Sequence, residues 1–335
     1  MCNVNADAAN VPNLPEVAII DVFDACTLRC PLCPTGANAF SRPPARMTLA
    51  TFSAILEQLA TTKRIYLFNW GESLLHPGII DFIRAVTARG KFASISSNLC
   101  FQKHAGFFLE LVRAGLGELV ASIDGITQES YSAYRRGGNL ELVLRNLREL
   151  VRAKESERSD IRIVWKFLVN RHTEGELDQA RTMAEELGVT FRAAAMGLAS
   201  DLLDWSPNDS LEARIREWLP SSKEYWSEPM KNGEFGICSY NVLDDQQRCH
   251  WLWDRLVISP RGDVFPCCWV TRDESAFGNV LKTSVAEVWG NERFRNARAL
   301  FTSAGGGEDS LANKIVCHNC SVARLSQRRC ATREP

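Results

Sequence analysis

The chain has 335 residues, 45% of them hydrophobic, a length that permits either one large domain or two unequal ones. Its 39 basic and 40 acidic residues leave a net charge of −1, which excludes the clustered excess of base that nucleic-acid binding requires. The N-terminus has no basic start or apolar run, and no stretch approaches the roughly 20 apolar residues that span a bilayer. We therefore expect a cytoplasmic protein without a membrane anchor.

From residue 17 to about 195, apolar strand-like runs alternate with amphipathic segments. This alternation predicts parallel strands joined by crossover helices, which form either an open barrel or a flat doubly wound sheet. In both arrangements chemistry is expected at the carboxyl ends of the strands. The predicted strands are Val17–Phe23, Arg64–Trp70, Phe92–Ser96, Glu118–Asp124, Ile161–Val169 and Val189–Ala194. The predicted helices are Leu49–Thr61, Gly78–Arg89, His104–Ala114, Asn139–Lys154 and Glu174–Leu187.

After residue 200 the pattern changes. The next 35 or so residues combine tryptophan, serine, proline and charge and predict a bridging segment with a helix near Leu211–Leu219. Further on, Leu256–Pro266 predicts a hairpin and Ser284–Leu300 a helix. We divide the chain into a tail at 1–16, a β/α domain at 17–200, a bridging segment at 201–236 and a cysteine-rich domain at 237–335.

Twelve cysteines are many for a cytosolic chain, and in a reducing compartment they are more often metal ligands or catalytic thiols than disulfides. Three lie close together early in the chain, and seven follow residue 237. A disulfide scaffold would not leave the long stretch between Cys33 and Cys238 almost free of cysteine. The distribution therefore favours metal ligands.

The first cysteine group lies in the sequence D-A-C-T-L-R-C-P-L-C-P-T-G, directly after the first predicted strand. Cys26, Cys30 and Cys33 have a C-x3-C-x2-C spacing, and three thiolates of one loop can hold three irons of a 4Fe–4S cluster. The fourth iron is then open, as a catalytic site requires. A zinc site would need a fourth ligand that this loop lacks, and a redox C-x2-C pair leaves Cys26 unexplained.

This loop, placed after the first strand of a six-fold β/α repeat, resembles the radical S-adenosylmethionine (SAM) superfamily. The resemblance implies an open (β/α)6 partial TIM barrel with SAM bound at the open iron of the cluster. Leu32 departs from the family, in which the residue before the third cysteine is often aromatic. By the same resemblance, SAM is contacted from the strand ends. The implied SAM-binding residues are Gly71, Glu72, Ser96, Asn98, Ser122, Asp124 and Lys166.

Each of these short strings is weak evidence by itself, and several have a structural alternative. In N-W-G-E, glycine lets the backbone come close to a ligand, and Glu72 offers an acceptor for the SAM ammonium group. The strings S-S-N and A-S-I-D-G end the third and fourth strands, where a polar residue is more often a helix N-cap. Lys166 could meet the SAM carboxylate or point to solvent.

The later cysteines resemble the SPASM/Twitch extensions that follow radical SAM barrels. Their pattern is C-x12-G-x4-C followed by C-x2-C, a shorter set than a full SPASM domain needs. The resemblance implies one auxiliary 4Fe–4S cluster, and a structural zinc site is the alternative for the same four thiolates. Of the cysteines left over, Cys268 should point away from that cluster, because neighbouring residues of an extended chain alternate. The implied ligands are Cys249, Cys267, Cys317 and Cys320.

The resemblance also implies the reaction. An external low-potential donor such as flavodoxin or ferredoxin reduces the first cluster, SAM is cleaved, and a 5′-deoxyadenosyl radical abstracts hydrogen from the substrate. We expect a small polyhydroxylated substrate (a sugar, aminocyclitol or nucleoside of antibiotic biosynthesis) that is oxidised with the auxiliary cluster as electron acceptor. The sequence does not choose the base among Asp124, Arg135 and His172.

Three alternatives stay open. A radical SAM epimerase would return a hydrogen atom from a cysteine outside the clusters, with Cys238 or Cys330 as the first to test. A peptide-modifying enzyme would bind a precursor peptide, although only about 16 residues precede the first strand, too few for a leader-binding domain. A cysteine-rich zinc protein would not be an enzyme.

Overall fold

The computed structural model describes residues 13–40, 42–196, 216–232, 243–244, 248–270, 272–301 and 315–331. Within these ranges one sheet of nine strands runs in the order β6-β5-β4-β3-β2-β1-β7-β8-β9. The first six strands and β7 are parallel, and the last two pair antiparallel. The strands are β1 (Val17–Ile20), β2 (Arg64–Tyr66), β3 (Phe92–Ser97), β4 (Glu118–Ser122), β5 (Arg162–Val169), β6 (Thr190–Ala195), β7 (Arg255–Ile258), β8 (Asp263–Phe265) and β9 (Gly278–Asn279).

The order of β1 to β6 decides between the barrel and the flat sheet. These strands lie side by side in chain order. Right-handed crossovers that always advance in one direction place every helix on one face, so the sheet curls around the other. A doubly wound sheet would reverse direction and carry helices on both faces. The predicted α/β fold with an open (β/α)6 barrel is therefore confirmed.

The helices cover the outer face of the barrel and enclose a core that is continuous with the C-terminal region. Helix α4 was not predicted, and its N-terminus is fixed by a capping box between Thr127 and Ser130. The helices are α1 (Leu49–Gln58), α2 (Ile79–Thr87), α3 (Phe107–Arg113), α4 (Gln128–Tyr134), α5 (Leu140–Ser156), α6 (Leu177–Glu186), α7 (Glu228–Lys231), α8 (Trp251–Asp254), α9 (Val285–Trp289), α10 (Glu292–Ala299) and α11 (Ser321–Ala331).

The C-terminal region continues the barrel sheet. Strand β7 pairs in parallel with β1, and the predicted hairpin is present as β7 and β8. The single helix predicted over Ser284–Leu300 is wrong, because α9 ends at Gly290 and Asn291 starts α10 by accepting the amide of Phe294. This attachment brings the later cysteines toward the barrel.

The structure describes only part of the predicted bridging segment. The helix predicted near Leu211–Leu219 falls largely outside the described residues, and only 216–218 are seen as helical. The described residues include no helix of the length and hydropathy needed to cross a bilayer.

Candidate active site

A cavity of about 600 Å³ opens at the carboxyl ends of the barrel strands. Its wall includes the three-cysteine loop after β1, the loop after β2, and side chains from β3 to β6. Residues of the C-terminal region close it from the other side. The predicted site residues that line it are Cys26, Cys30, Cys33, Gly71, Glu72, Ser96, Asn98, Ser122 and Lys166.

The three thiols of the loop share the cavity wall with groups suited to thiolates. Asn98 Nδ2 and the Leu28 amide each donate a hydrogen bond to Cys26 Sγ at 3.4 Å. Arg135 Nη1 lies 3.8 Å from Cys30 Sγ. Burial raises the pKa of Cys26 to about 11 and that of Cys30 to about 12, so an empty loop favours thiols. A bound cluster would supply the positive charge that keeps them ionised, and the donor set therefore fits one.

Glu72 connects two of the strand-end loops. It is 2% exposed, and its carboxylate accepts the amides of Asn98 at 2.7 Å and Leu74 at 3.2 Å. Burial raises the pKa of this carboxyl to about 7. Asn98 in turn contacts Cys26, so Glu72 positions a group that reaches the cysteine loop. Its predicted contact with the SAM ammonium group stays a prediction.

Asp124 is the one predicted SAM-binding residue that is not among the described residues of the cavity wall. It is fully buried, accepts the Leu168 amide at 2.8 Å and pairs with Arg135 Nε at 2.6 Å. Burial opposes the charge of Arg135, but Asp124 and Cys30 outweigh it and raise the pKa of the guanidinium well above its ordinary value. Asp124 therefore holds Arg135 in the cavity wall.

The ion pair between Asp124 and Arg135 also affects which residue could act as the base. A guanidinium with a raised pKa keeps its proton, so Arg135 is unsuited to that role. His172 packs against Trp218 with 5.1 Å between the ring centroids and is not among the described residues that line the cavity. The structure thus favours neither of these two candidates.

Removal of Arg135 should destabilise the protein strongly. We expect Arg135→Met to lower the free energy of unfolding by about 3–5 kcal/mol, because it leaves the carboxylate of Asp124 buried without a counter-charge. Urea unfolding of the apoprotein measures this loss. The adjacent and exposed Arg136 provides the control, and Arg136→Met should change stability little. Equal losses in the two variants would contradict the ion-pair interpretation.

Three of the four predicted auxiliary ligands come together from two segments of the chain. Cys249 precedes α8, whereas Cys317 and Cys320 lie just before α11. Burial first, and then the electrostatic proximity of Cys320, raises the pKa values of Cys249 and Cys317. All four predicted ligands, with Cys267 after β8, pack against the common core. The described side chains contain no group of three or more histidine, cysteine or acidic residues around a single-ion site, but cluster irons bind thiolates one by one.

Cys268 was expected to point away from the auxiliary cluster, but no role in the active site was predicted for it. It lines the cavity between Lys166 and Arg255, while the adjacent Cys267 belongs to the predicted auxiliary set. Its signal in the sequence was the Cys-Cys pair, because adjacent residues of an extended chain face opposite sides. Cys238 lies outside the described residues, and the side chain of Cys330 is likewise not described.

An open parallel barrel whose strand ends surround a three-thiol loop defines a class of enzyme that holds a metal cluster and a ligand in one cavity. Two family models agree with this. Residues 20–174 match the radical SAM superfamily, and residues 249–321 match the iron–sulfur cluster-binding SPASM domain. The chain belongs to the radical SAM superfamily and carries a SPASM domain, and its cofactors are SAM, a 4Fe–4S cluster and auxiliary iron–sulfur.

Comparisons with individual proteins also find radical SAM enzymes. The mycofactocin maturase MftC of Mycobacterium ulcerans is 24% identical over 277 residues, which is 80% of this chain and 72% of that protein. Streptococcus suis SuiB bound to S-adenosylmethionine has a TM-score of 0.62 at 13% identity, covering 92% of this chain and 72% of SuiB. BtrN in complex with AdoMet and 2-DOIA has a TM-score of 0.52 at 15% identity, covering 87% and 88%. At these identities the two structures establish the fold alone.

Proposed function

We propose that this chain is a radical SAM dehydrogenase that oxidises a small polyhydroxylated molecule. The observation that carries the proposal is the single cavity shared by the cysteine loop, the barrel strand ends and the C-terminal region. Its volume of about 600 Å³ suits SAM together with a compact second molecule, since ligand sites commonly measure roughly 300–1,000 Å³. When bound, the cluster and SAM supply a 5′-deoxyadenosyl radical.

In this proposal Cys26, Cys30 and Cys33 hold the cluster that cleaves SAM. The residues after β2 and β3 form the wall beside it, and Arg135 is a further candidate for the SAM carboxylate because it is a charged guanidinium beside Cys30. Asp124 positions Arg135. The proposed auxiliary ligands are Cys249, Cys267, Cys317 and Cys320, and the match to a cluster-binding domain supports iron–sulfur over the structural zinc alternative.

Trp251, Arg255 and Trp269 come from the C-terminal region and line the cavity. These large side chains cover one side of the cavity. Limiting the access of water there would protect the reactive radical. In this proposal the auxiliary cluster accepts an electron from the substrate, which is supported by the position of its proposed ligand Cys267 next to Cys268 of the cavity wall. An external low-potential reductant remains a necessary partner.

Peptide modification is a second candidate, because relatives such as MftC are named maturases and SuiB has been solved with its precursor peptide SuiA. Epimerisation is a third, and it is favoured by the thiol of Cys268 in the cavity wall. In an epimerase this thiol would donate a hydrogen atom to the substrate radical.

The neighbouring cysteines Cys267 and Cys268 provide a matched pair for testing the reaction. Sugars, sugar acids, sugar phosphates, aminocyclitols, nucleosides and peptides are screened for stimulation of 5′-deoxyadenosine formation and for a product two mass units lighter. For a dehydrogenase we expect Cys267→Ala to retain SAM cleavage and lose the oxidised product, whereas Cys268→Ala keeps both.

Other outcomes would redirect the assignment. Deuterium incorporation from heavy water without oxidation, lost in Cys268→Ala, would establish an epimerase. Stimulation by peptides alone would establish a peptide-modifying enzyme. Retention of the oxidised product in Cys267→Ala after its iron content has fallen to about four per chain would contradict the auxiliary cluster as the electron acceptor.

A further inference from the structure

A row of polar and basic side chains crosses three neighbouring barrel strands. Lys166 on β5 is the register partner of Ser122 on β4 and of Arg192 on β6. Register partners of parallel strands point to the same face of the sheet. All three residues line the cavity, so this face is the interior of the barrel.

The charge of the cavity wall is unbalanced. Four described basic residues line it, and Glu72 is the only acidic residue among the described ones that do so. Arg135 is paired with Asp124, and Arg255 lies 3.4 Å from Asp254. Across the described ranges, Lys166 and Arg192 have no acidic group within ion-pair distance. Lys166 and the more exposed Arg192 thus have no ion-pair partner among the described residues, although Asp124, which is paired with Arg135, also acts electrostatically on Lys166.

An unpaired hydrogen-bond donor accompanies these charges. The indole nitrogen of Trp251 is buried and has no hydrogen-bond partner among the described residues, whereas Nε of Arg255 lies 3.4 Å from Asp254. Both side chains belong to the cavity wall, and the guanidinium of Arg255 stacks on Trp251 at 5.0 Å. Buried donors normally find an acceptor, so this wall lacks the acceptors that a ligand can bring.

Building on the proposed function, we propose that the substrate is an anion whose carboxylate or phosphate group binds between Lys166 and Arg192. The substrate is accordingly a sugar acid or a sugar phosphate rather than a cationic aminocyclitol. An anion at this point neutralises the excess charge and offers acceptors to the neighbouring donors. Burial and the guanidinium groups of Arg135 and Arg192 lower the pKa of Lys166 to about 8, a shift that a bound anion opposes.

The SAM carboxylate is a separate anion in this arrangement. Arg135 lies against Cys30 of the cysteine loop, where SAM meets the open iron. Lys166 interacts electrostatically with Arg135 and also with Cys268 of the C-terminal region, on the side where the substrate would be enclosed. In this proposal Arg135 binds the SAM carboxylate, and Lys166 with Arg192 binds the anionic group of the substrate.

Binding to the full chain tests this without any radical chemistry. Calorimetric titrations of the reconstituted protein, without reductant, use glucuronate and glucose 6-phosphate as anions, with glucose and glucosamine as their neutral and cationic counterparts. We expect at least one anion to bind at least tenfold more tightly than both counterparts. Lys166→Gln and Arg192→Gln should each weaken that binding tenfold or more, and the preferred anion identifies carboxylate or phosphate as the group.

Two control variants separate loss of the binding site from a change in net charge and from misfolding. Arg152 is exposed on α5, and Arg152→Gln removes one positive charge far from the cavity wall without changing the affinity. Lys166→Arg preserves the charge and should retain binding if Lys166→Gln fails to fold. Binding of glucosamine as tight as that of the anions, no binding of either anion, or competitive displacement of the anion by SAM would overturn the proposal. Because the titration needs no SAM cleavage, failure here is distinct from failure of the dehydrogenase assignment.

Discussion

Replacement of Cys26, Cys30 and Cys33 by alanine should lower the iron content of the reconstituted protein from about eight to about four per chain and abolish 5′-deoxyadenosine formation. Each 4Fe–4S cluster carries four irons, and these three thiols provide the proposed ligands of one cluster. The measurements are iron per chain after anaerobic reconstitution and chromatography of the SAM cleavage products.

The expected loss follows from the geometry of the loop. Its thiols line the cavity, and Asn98, Leu28 and Arg135 surround two of them with donors that favour a thiolate. No other described cysteine except Cys268 lines this cavity. Alanine removes the ligands without adding bulk, so the barrel should keep its fold.

Cys100 provides the control for the triple variant. It is partly buried and accepts the Asn139 amide at 3.3 Å, and it is not among the described residues of the cavity wall. Cys100→Ala should retain about eight irons and full SAM cleavage. Four irons falling to none, with zinc retained, would keep the SAM-cleaving cluster and remove the auxiliary one. Eight irons retained in the triple variant would contradict the ligand assignment.

The second large effect is expected at Gly71. We expect Gly71→Ala to lower the iron content to about four per chain and to reduce SAM cleavage at least 100-fold, because the loop after β2 can no longer pack against the loop after β1. A methyl group on Gly71 would overlap the carbonyl oxygen of Phe23, which is backbone and cannot rotate away. Iron content and 5′-deoxyadenosine formation measure the effect.

Hydrogen bonds transmit this clash to the cysteines. The Trp70 amide donates to Asp21 Oδ2 at 2.9 Å, and the Glu72 amide donates to the Ala25 carbonyl at 2.8 Å, next to Cys26. Moving Gly71 away from Phe23 breaks both contacts. Gly175 is the matched control, since a methyl group there meets no atom within 4 Å, and Gly175→Ala should behave like the unaltered protein. Full iron content in Gly71→Ala would show that the two loops separate without consequence for the cluster.

Local chemistry explains why the first site could be predicted from the sequence. Three cysteines within eight residues must lie on one loop whatever the rest of the chain does, and that loop follows a strand. The polar strings after β2, β3 and β4 met around the same cavity because parallel neighbouring strands end at one edge. The radical SAM family and the open barrel were thus predictable, while the roles of single SAM contacts remain predictions.

The features that could not be predicted from the sequence depend on tertiary contacts. The SAM contact of Asp124 stays a prediction, and its pairing with Arg135 and the Leu168 amide, 11 and 44 residues away, could not be read from the sequence. Helix propensity alone predicted one helix over Ser284–Leu300, whereas the packing of the C-terminal region has two. The predictions for β1, β2 and β4 ran past the observed ends, as apolar residues continue into the buried loops that carry the site.

By itself, the sequence determined the class of this protein, because cysteine spacing and strand–helix alternation are local patterns that cluster ligation and barrel formation require. Only the tertiary structure decided what faces the substrate. The parallel pairing of β7 with β1 joins segments more than 200 residues apart, and it brings Arg255 and Cys268 to the cavity wall opposite Lys166. No periodicity along the chain records such a pairing, since the charge and reactivity of a cavity depend on side chains that meet only after the barrel has closed.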